Sequence, residues 1–340
     1  MLRDTLETLC CLSGVSGSED EIRNYILERI MPCADELRTD PMGNLMVFRR
    51  GAVTPDRTVM LAAHMDEVGL IVTDVTEDGY LRFDTVGGID RRVLPGKPVL
   101  VGDGRVPGVI GSKAIHLTTA EERKTLPAIK DMYIDIGAAD REEALISAAL
   151  GDPVVFDSAF VPFGDGFVKA KAIDDRAGCS TMLELMESEL PCDCWFAFTV
   201  QEEVGCRGAG TAARSIRPDV ALILEGTTAA DVPGAEGADR VCCLGAGVVL
   251  PFMDRGTIYD RDLYRTLSRL AEENGIPWQT KTRVAGGTDA SAIQRSSGGV
   301  RTAALSVPVR NIHSPAGVAK LSECEDQLRL ARLFLEEMAK

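Results

Sequence analysis

The order of apolar and polar positions predicts an α/β arrangement in the first part of the chain. Apolar residues recur at helical spacing over positions 22–30, and Ser18 with Glu21 forms a capping-box pattern in front of them. A strand is predicted over 44–48. The run at 59–63 is wholly apolar between polar residues, which is typical of a strand buried on both faces.

After Gly166 buried strands and helices alternate again. Strands are predicted over 167–173, 195–200, 220–224 and 302–307, and helices over 175–188, 207–215, 260–274 and 323–339. Such alternation builds a largely parallel or mixed sheet covered on both faces. The fold class is therefore predicted to be α/β, with a mixed central sheet between two layers of helices.

The pattern changes between positions 73 and 162. Short β-like pieces at 80–83, 98–101, 109–110 and 132–136 alternate with glycine and proline turns, and one helix is predicted near 140–150. We expect a small β-rich domain over 73–162. It would be inserted into a catalytic domain made of residues 1–72 and 163–340.

The composition excludes several classes of protein and partner. Apolar residues make up 45% and charged residues 26% of the 340 positions, which are ordinary globular values. The net charge of −15 would repel a phosphate backbone, so nucleic acid is not expected as a partner. No apolar run approaches the roughly 20 residues of a membrane span, and the N-terminus lacks the apolar core of a signal peptide. Membrane contact is therefore not expected. The ten cysteines include no C-x-x-C pattern, so we expect a reducing cytoplasm.

Residues that can carry chemistry follow five of the predicted strands. In open α/β sheets, ligands bind beyond the carboxyl ends of the strands. The residues at or near those ends are His64, Asp66, Asp174, Glu202, Glu203, Glu225 and His313. The chain has only three histidines, and two of them belong to this set. One carboxylate or histidine at a strand end is usually structural, but five coincident ends indicate a single site.

The two histidines and the carboxylates suit divalent metal ions. Imidazole and carboxylate ligands without thiolate are typical of Zn²⁺, Co²⁺ or Mn²⁺ sites. Two histidines and three carboxylates provide enough ligands for two ions about 3.5–4 Å apart if one carboxylate bridges them. The side chains of the neighbours Glu202 and Glu203 diverge, so one can bind metal while the other acts as a general base. Asp66, two residues after His64, can hold that imidazole in its ligating tautomer.

Three further features allow either a structural or a functional role. His116, in the β-rich segment, either packs structurally or reaches an active site. Arg255 could meet an acidic substrate side chain, although a surface salt bridge explains it equally well. The turn at 286–289 either binds an anion or begins a helix that backs the site, and the chain contains no P-loop pattern and no G-x-S-x-G.

Six short motifs resemble those of the tetrahedral (TET) aminopeptidases, also called the glutamyl-aminopeptidase family, which are dinuclear-zinc exopeptidases. They are AAHMDEVG at 62–69, KAIDDRAG at 171–178, VQEEVGCRGA at 200–209, EGTTAADVPG at 225–234, GGTDAS at 286–291 and NIHSP at 311–315. They occur in the family's order and extend over nearly the whole chain. GSKAIH at 111–116 and IDIGA at 134–138 are similar to the family's dimerisation domain. The resemblance implies the zinc-exopeptidase type of α/β fold.

The resemblance also implies which residues bind metal. His64 and Glu225 would hold the first ion. Glu203 and His313 would hold the second, and Asp174 would bridge the two. The peptide bond that follows Asp174 is similar to one that is cis in related enzymes.

Finally, the resemblance implies a catalytic base and a reaction. Glu202 would take a proton from a metal-bound water, and Asp66 would orient His64. The reaction would be hydrolysis of N-terminal residues from peptides, with two divalent ions per subunit, zinc before cobalt or manganese. The alternatives are another metal-dependent amidohydrolase such as a deacylase or carboxypeptidase, an endoglucanase, and an inactive scaffold. Family members assemble dimers into a hollow dodecamer, and the same homo-oligomer is expected here.

Overall fold

The protein has a mixed central sheet with helices on both faces, a closed β-barrel and a small third sheet, in a computed structural model that describes residues 2–340. This architecture confirms the predicted α/β class. The helices are α1 Leu2–Cys11, α2 Asp20–Ile30, α3 Arg141–Ser147, α4 Ile173–Met186, α5 Arg207–Ile216, α6 Arg261–Glu273, α7 Ala290–Gln294 and α8 Leu321–Met338. The strands are β1 Glu36–Thr39, β2 Leu45–Arg49, β3 Val59–His64, β4 Gly69–Val75, β5 Leu81–Val86, β6 Pro98–Val101, β7 Val106–Ser112, β8 Met132–Asp135, β9 Pro153–Phe156, β10 Val161–Phe163, β11 Phe167–Ala170, β12 Cys194–Thr199, β13 Val220–Thr228, β14 Val248–Leu250, β15 Trp278–Thr280, β16 Arg301–Val309 and β17 Gly317–Lys320.

Four parallel strands form the centre of the main sheet. Its eight strands lie in the order β1-β2-β12-β3-β13-β16-β14-β15. The neighbours β12, β3, β13 and β16 are parallel, whereas β2 and β14 join them in the antiparallel direction. Because the carboxyl ends of parallel strands meet at one edge, the residues that end these four strands converge there.

Strand β3 illustrates why this sheet is buried on both faces. Val59, Leu61 and Ala63 pack into a core shared with apolar residues of α2, α4, α6 and α8. Met60 and Ala62 face the other way and pack with residues of α5 and α7. Side chains alternate along a strand, so two covered faces require a continuous apolar run. Within residues 2–340, no helix combines the length and the apolar character needed to cross a membrane.

The chain between β3 and β10 forms the closed barrel. Its strands lie in the order β4-β5-β8-β7-β6-β9 around an apolar core of their own. The barrel begins at Gly69, just before the predicted start of the insertion at position 73. It ends at Phe156, and β10 pairs instead with β11 in the three-stranded sheet. The division of the chain at positions 73 and 162 stays a prediction.

The N-terminal region differs from the sequence prediction in two respects. The apolar pattern does not predict helix α1, although that helix buries Leu2, Leu6 and Leu9. The capping box is wrong, because α2 follows Glu19 and has no side-chain capping hydrogen bond. Instead, the Glu21 carboxylate accepts a hydrogen bond of 3.1 Å from the backbone N–H of Ser13, upstream of the helix.

Strand β11 differs from the strand predicted over 167–173. It ends at Ala170 and pairs with β10 and β17 rather than with the central sheet. Ala172 has a positive φ of 54°, and α4 begins at the next residue. The chain therefore reaches Asp174 through a sharp turn from the small sheet, and only four of the five predicted strand ends belong to the central sheet.

A buried charge triad fixes this turn against the end of β3. The Lys171 ammonium donates hydrogen bonds of 2.6 and 2.9 Å to the Glu67 carboxylate, and the Arg176 guanidinium lies 3.4 Å from the same group. All three side chains are at most 4% exposed. The triad thus joins the segment after His64 to the segment that contains Asp174.

Replacing Lys171 by Met should destabilise the fold by about 3 kcal/mol, because it leaves a buried carboxylate with incomplete compensation. The measurement is the free energy of unfolding in urea. Lys113→Met is the matched control, since Lys113 pairs with Glu122 at 2.9 Å where both side chains are about half exposed, and it should leave stability nearly unchanged. Equal stability of the two variants would contradict a stabilising role for the triad.

Candidate active site

The structure brings all seven predicted site residues together at one edge of the central sheet. His64 is the last residue of β3, and Glu225 lies within β13. Glu202 and Glu203 follow β12, and His313 follows β16 after a short turn. Asp174 reaches the same place at the start of α4.

Asp174 lies between the two imidazole rings. Its Oδ1 is 3.5 Å from Nε2 of His64, and its Oδ2 is 3.6 Å from Nε2 of His313. Each ring has a further carboxylate beside the same nitrogen. The Glu225 carboxylate lies 3.7 Å from Nε2 of His64, and the Glu203 carboxylate lies 3.2 Å from Nε2 of His313. The arrangement therefore consists of two histidine–carboxylate pairs that share one aspartate.

Backbone carbonyls set the tautomer of both histidines. Nδ1 of His64 lies 3.0 Å from the carbonyl oxygen of Asp66, and Nδ1 of His313 lies 3.0 Å from that of Gly88. A carbonyl only accepts hydrogen bonds, so the proton of each neutral ring resides on Nδ1. In the neutral rings, both Nε2 atoms consequently present a lone pair toward Asp174.

The Asp66 carboxylate organises the backbone after β12. Its two oxygens accept hydrogen bonds from the backbone N–H groups of Glu202 at 2.9 Å and Glu203 at 3.1 Å. A third bond, of 2.5 Å, comes from the Ser16 hydroxyl. The same carboxylate is 3.5 Å from Nδ1 of His64, farther than the Asp66 carbonyl. Asp66 thus holds both glutamates in place, a contact that the sequence pattern does not predict.

The electrostatic environment favours positive charge between the histidines. Burial opposes a charge on His313, but Asp174 and Glu203 raise its pKa to about 9. Burial also opposes a charge on His64, yet Asp174 and Asp66 raise its pKa well above the usual value. Burial raises the pKa of Glu203 to about 8. Carboxylates buried in this way need a compensating cation.

Two buried carboxylate oxygens at the site have no hydrogen-bond partner among the described residues. They are Oε1 of Glu225 and Oδ2 of Asp175. One ligand atom each from His64, Asp175 and Glu225 lies within 4.8 Å of the other two, and His64, Asp174 and Glu203 form a second such group. Nitrogen and oxygen donors converging in this way fit divalent ions such as Zn²⁺, Co²⁺ or Mn²⁺.

Asp175 belongs to one of these groups, although the sequence pattern assigned it no role. Its only sequence signal is its place directly after Asp174. The peptide bond between the two aspartates is cis, as the family resemblance implied. Burial raises the pKa of Asp175 well above its usual value, and the charge of Asp174 adds to this shift.

His116 and Arg255 lie apart from this cluster of ligands. His116 is in an exposed turn between β7 and β8 of the barrel. Arg255 is exposed, and its backbone N–H donates to the carbonyl of Gly286. Asp289, which ends the turn at 286–289, is buried and accepts a hydrogen bond of 2.5 Å from the Thr199 hydroxyl. The turn at 286–289 therefore packs behind the site, against the end of β12.

Comparison with known proteins identifies the family. A family model described as M42 glutamyl aminopeptidase matches residues 43–330. The chain belongs to the M42 glutamyl aminopeptidase family. Members of this family are aminopeptidases, which places the protein among the peptide hydrolases and confirms the resemblance in the six motifs.

Individual M42 relatives match nearly the whole chain. A putative aminopeptidase of Acetivibrio thermocellus is 38% identical over 329 residues, which cover 96% of each protein. The TET aminopeptidase from the marine sediment archaeon Thaumarchaeota archaeon SCGC AB-539-E09 superposes with a TM-score of 0.94 at 36% identity, covering 99% of this chain and 98% of that one. The Pyrococcus horikoshii TET1 peptidase, which can assemble into a tetrahedron or a large octahedral shell, gives a TM-score of 0.85 at 37% identity and 98% coverage of both chains.

Proposed function

We propose that the protein is a metal-dependent aminopeptidase that binds two divalent ions per subunit. His64, Asp174 and Glu225 would hold the first ion. Asp174, Glu203 and His313 would hold the second. The observation that carries this proposal is the position of Asp174, with one carboxylate oxygen toward each Nε2 atom.

In the proposed mechanism the two neighbouring glutamates have different roles, with Glu202 as the general base and Glu203 as a metal ligand. When bound, a pair of such ions polarises the scissile carbonyl and lowers the pKa of a water molecule toward neutrality. Glu202 accepts a proton from the attacking water and returns it to the departing amine. Burial raises the pKa of the Glu202 carboxyl, which makes its carboxylate a stronger proton acceptor. The hydrogen bonds from Glu202 and Glu203 to Asp66 keep the base and the ligand in fixed relative positions.

Zinc is the proposed resident metal, and cobalt or manganese could use the same ligands. The set contains imidazole and carboxylate donors and no thiolate, which these three ions share. The pairing of each Nδ1 with a carbonyl oxygen supports the assignment, because metal-binding histidines usually donate their second N–H in this way.

A panel of aminoacyl-nitroanilides tests the proposed function. Activity should fall to background after chelation and return when Zn²⁺, Co²⁺ or Mn²⁺ is added back, because the ions supply the electrophile. A matched panel with acetylated N-termini is the control and should not be cleaved. Cleavage of the acetylated panel would favour a deacylase or endopeptidase, and full activity after verified metal removal would contradict metal dependence.

We further propose that the chain forms dimers through residues 73–162 and assembles into a dodecamer of the TET type. The barrel segment exposes large apolar side chains, including Ile115 at 72%, Leu117 at 62% and Ile146 at 85%. Ile115 and Leu117 belong to one short helix, and neighbouring exposed apolar side chains are typical of a contact surface. Light scattering of the full chain tests this, and a monomeric mass would contradict it. A reducing cytoplasm is the proposed compartment, since all ten cysteines are unpaired thiols.

A further inference from the structure

A third group of ligand atoms lies beside the proposed base and outside the two histidine sites. One oxygen or sulfur atom each from Glu202, Cys206 and Asp289 lies within 4.8 Å of the other two. The Cys206 thiol is 3.3 Å from Oε1 of Glu202. Neither Cys206 nor Asp289 has a part in the mechanism proposed above.

Asp289 provides independent evidence that this group binds a cation. Its side chain is fully buried, and its Oδ2 accepts the hydrogen bond from Thr199. Its Oδ1 has no hydrogen-bond partner among residues 2–340. Burial raises the pKa of Asp289 to about 8, and the negative charge of Glu202 contributes to the shift. A buried carboxylate oxygen without a partner is costly, and a cation beside it would remove that cost.

Cys206 gives the group a different metal preference from the histidine sites. Cys206 lies at the start of α5 and is only partly buried, so solvent can reach the three ligand side chains. Burial, together with the charges of Glu202 and Asp289, raises the pKa of the thiol. A soft cation would reverse this effect, because it binds thiolate directly and offsets the same negative charges. On coordination the thiol proton is released to solvent.

We propose that Cys206, Asp289 and Glu202 form a third cation site that takes a soft divalent ion, Zn²⁺ or Cd²⁺, and inhibits the enzyme. Thiolate favours these ions over Mn²⁺, whereas the histidine sites accept all of them. An ion at this site occupies the Glu202 carboxylate and prevents it from accepting a proton. The proposed cation binding depends only on the positions of these three side chains. The proposed inhibition also depends on the role of Glu202 as the base, and so rests on the proposed function.

Cadmium binding to the manganese-loaded enzyme tests the site directly. Ultraviolet charge-transfer absorption reports Cd–thiolate bonds, and Cd²⁺ that replaces Mn²⁺ at the histidine sites gives no such signal because those sites lack sulfur. The wild-type chain should show one more cadmium–thiolate bond than Cys206→Ser, which keeps a hydroxyl donor beside Glu202. Cys11→Ser is the matched control, since Cys11 is exposed and far along the chain, and it should keep the Cys206 signal.

The second measurement is inhibition, with each variant compared with its own rate before Cd²⁺ or Zn²⁺ is added. The inhibitory concentration should rise at least tenfold in Cys206→Ser. It should also rise in Asp289→Asn, and this variant decides the question if the serine variant does not fold. An unchanged charge-transfer signal in Cys206→Ser would overturn the site, whereas loss of the signal with unchanged inhibition would overturn the inhibitory role. Absence of any aminopeptidase activity would contradict the proposed function and leave the cadmium test decisive for the site.

Discussion

Replacing Glu202 by Gln should lower kcat by about 10²- to 10⁴-fold, the usual contribution of a general base. Glutamine keeps the shape and hydrogen-bonding capacity of the side chain but cannot accept the proton. Both metal ions should remain bound, because Glu202 is not among the proposed ligands. KM should change much less than kcat, since peptide binding does not depend on proton transfer.

The neighbouring glutamate supplies the control for this prediction. Glu203 lies 3.2 Å from Nε2 of His313, so Glu203→Gln should weaken metal binding as well as activity. Metal content per chain, measured alongside kcat and KM, separates the two effects. If Glu202→Gln loses an ion while Glu203→Gln keeps two, the roles of the two residues must be exchanged. Near-full activity of Glu202→Gln would contradict the proposed mechanism.

Replacing Asp174 by Ala should abolish tight binding of both ions and reduce activity to background. Its carboxylate is the only group of the set placed beside Nε2 of both histidines. His313→Ala should remove one ion and keep the other. The measurement is metal content per chain after dialysis against a metal-free buffer, with circular dichroism to verify folding.

A third histidine variant completes that experiment. His116 is exposed in the barrel segment, so His116→Ala should retain two ions and full activity. Retention of both ions by folded Asp174→Ala would contradict a bridging carboxylate. Loss of both ions in His313→Ala would indicate that the two sites bind cooperatively rather than one by one.

The sequence predicted the central sheet well where burial determines the residue pattern. The run at 59–63 is apolar at every position because both faces of β3 are covered, and the structure extends that strand by one residue, to His64. The predictions were weaker where short polar contacts decide the outcome. The Glu21 side chain bonds to Ser13 rather than to the start of its own helix, and spacing alone does not distinguish these partners.

The strand-end pattern predicted the candidate site only as a set of residues, and its expected arrangement came from the family resemblance. The ends of the four parallel strands account for the histidines and glutamates, because residues that follow parallel strands meet at one edge, whereas Asp174 arrives there from the small sheet. The order of the strands, which places Asp66 beside the Glu202 and Glu203 backbone, depends on long-range pairing that the linear pattern does not contain. Carbonyl partners were also beyond prediction, since every residue has the same carbonyl group whatever its side chain.

The carbonyl of Gly88 makes the barrel a part of the catalytic centre. Gly88 lies between β5 and β6, whereas the ring that it orients, His313, follows the last strand of the central sheet. Metal affinity at that proposed ligand would therefore depend on the position of the barrel. In the proposed assembly, a subunit that contacts the barrel would also stabilise this hydrogen bond, and assembly would then be thermodynamically linked to metal retention. An engineered chain shortened by excising the barrel would lose more than its proposed contact surface, because His313 would be free to adopt the tautomer protonated on Nε2, which cannot bind metal through that atom.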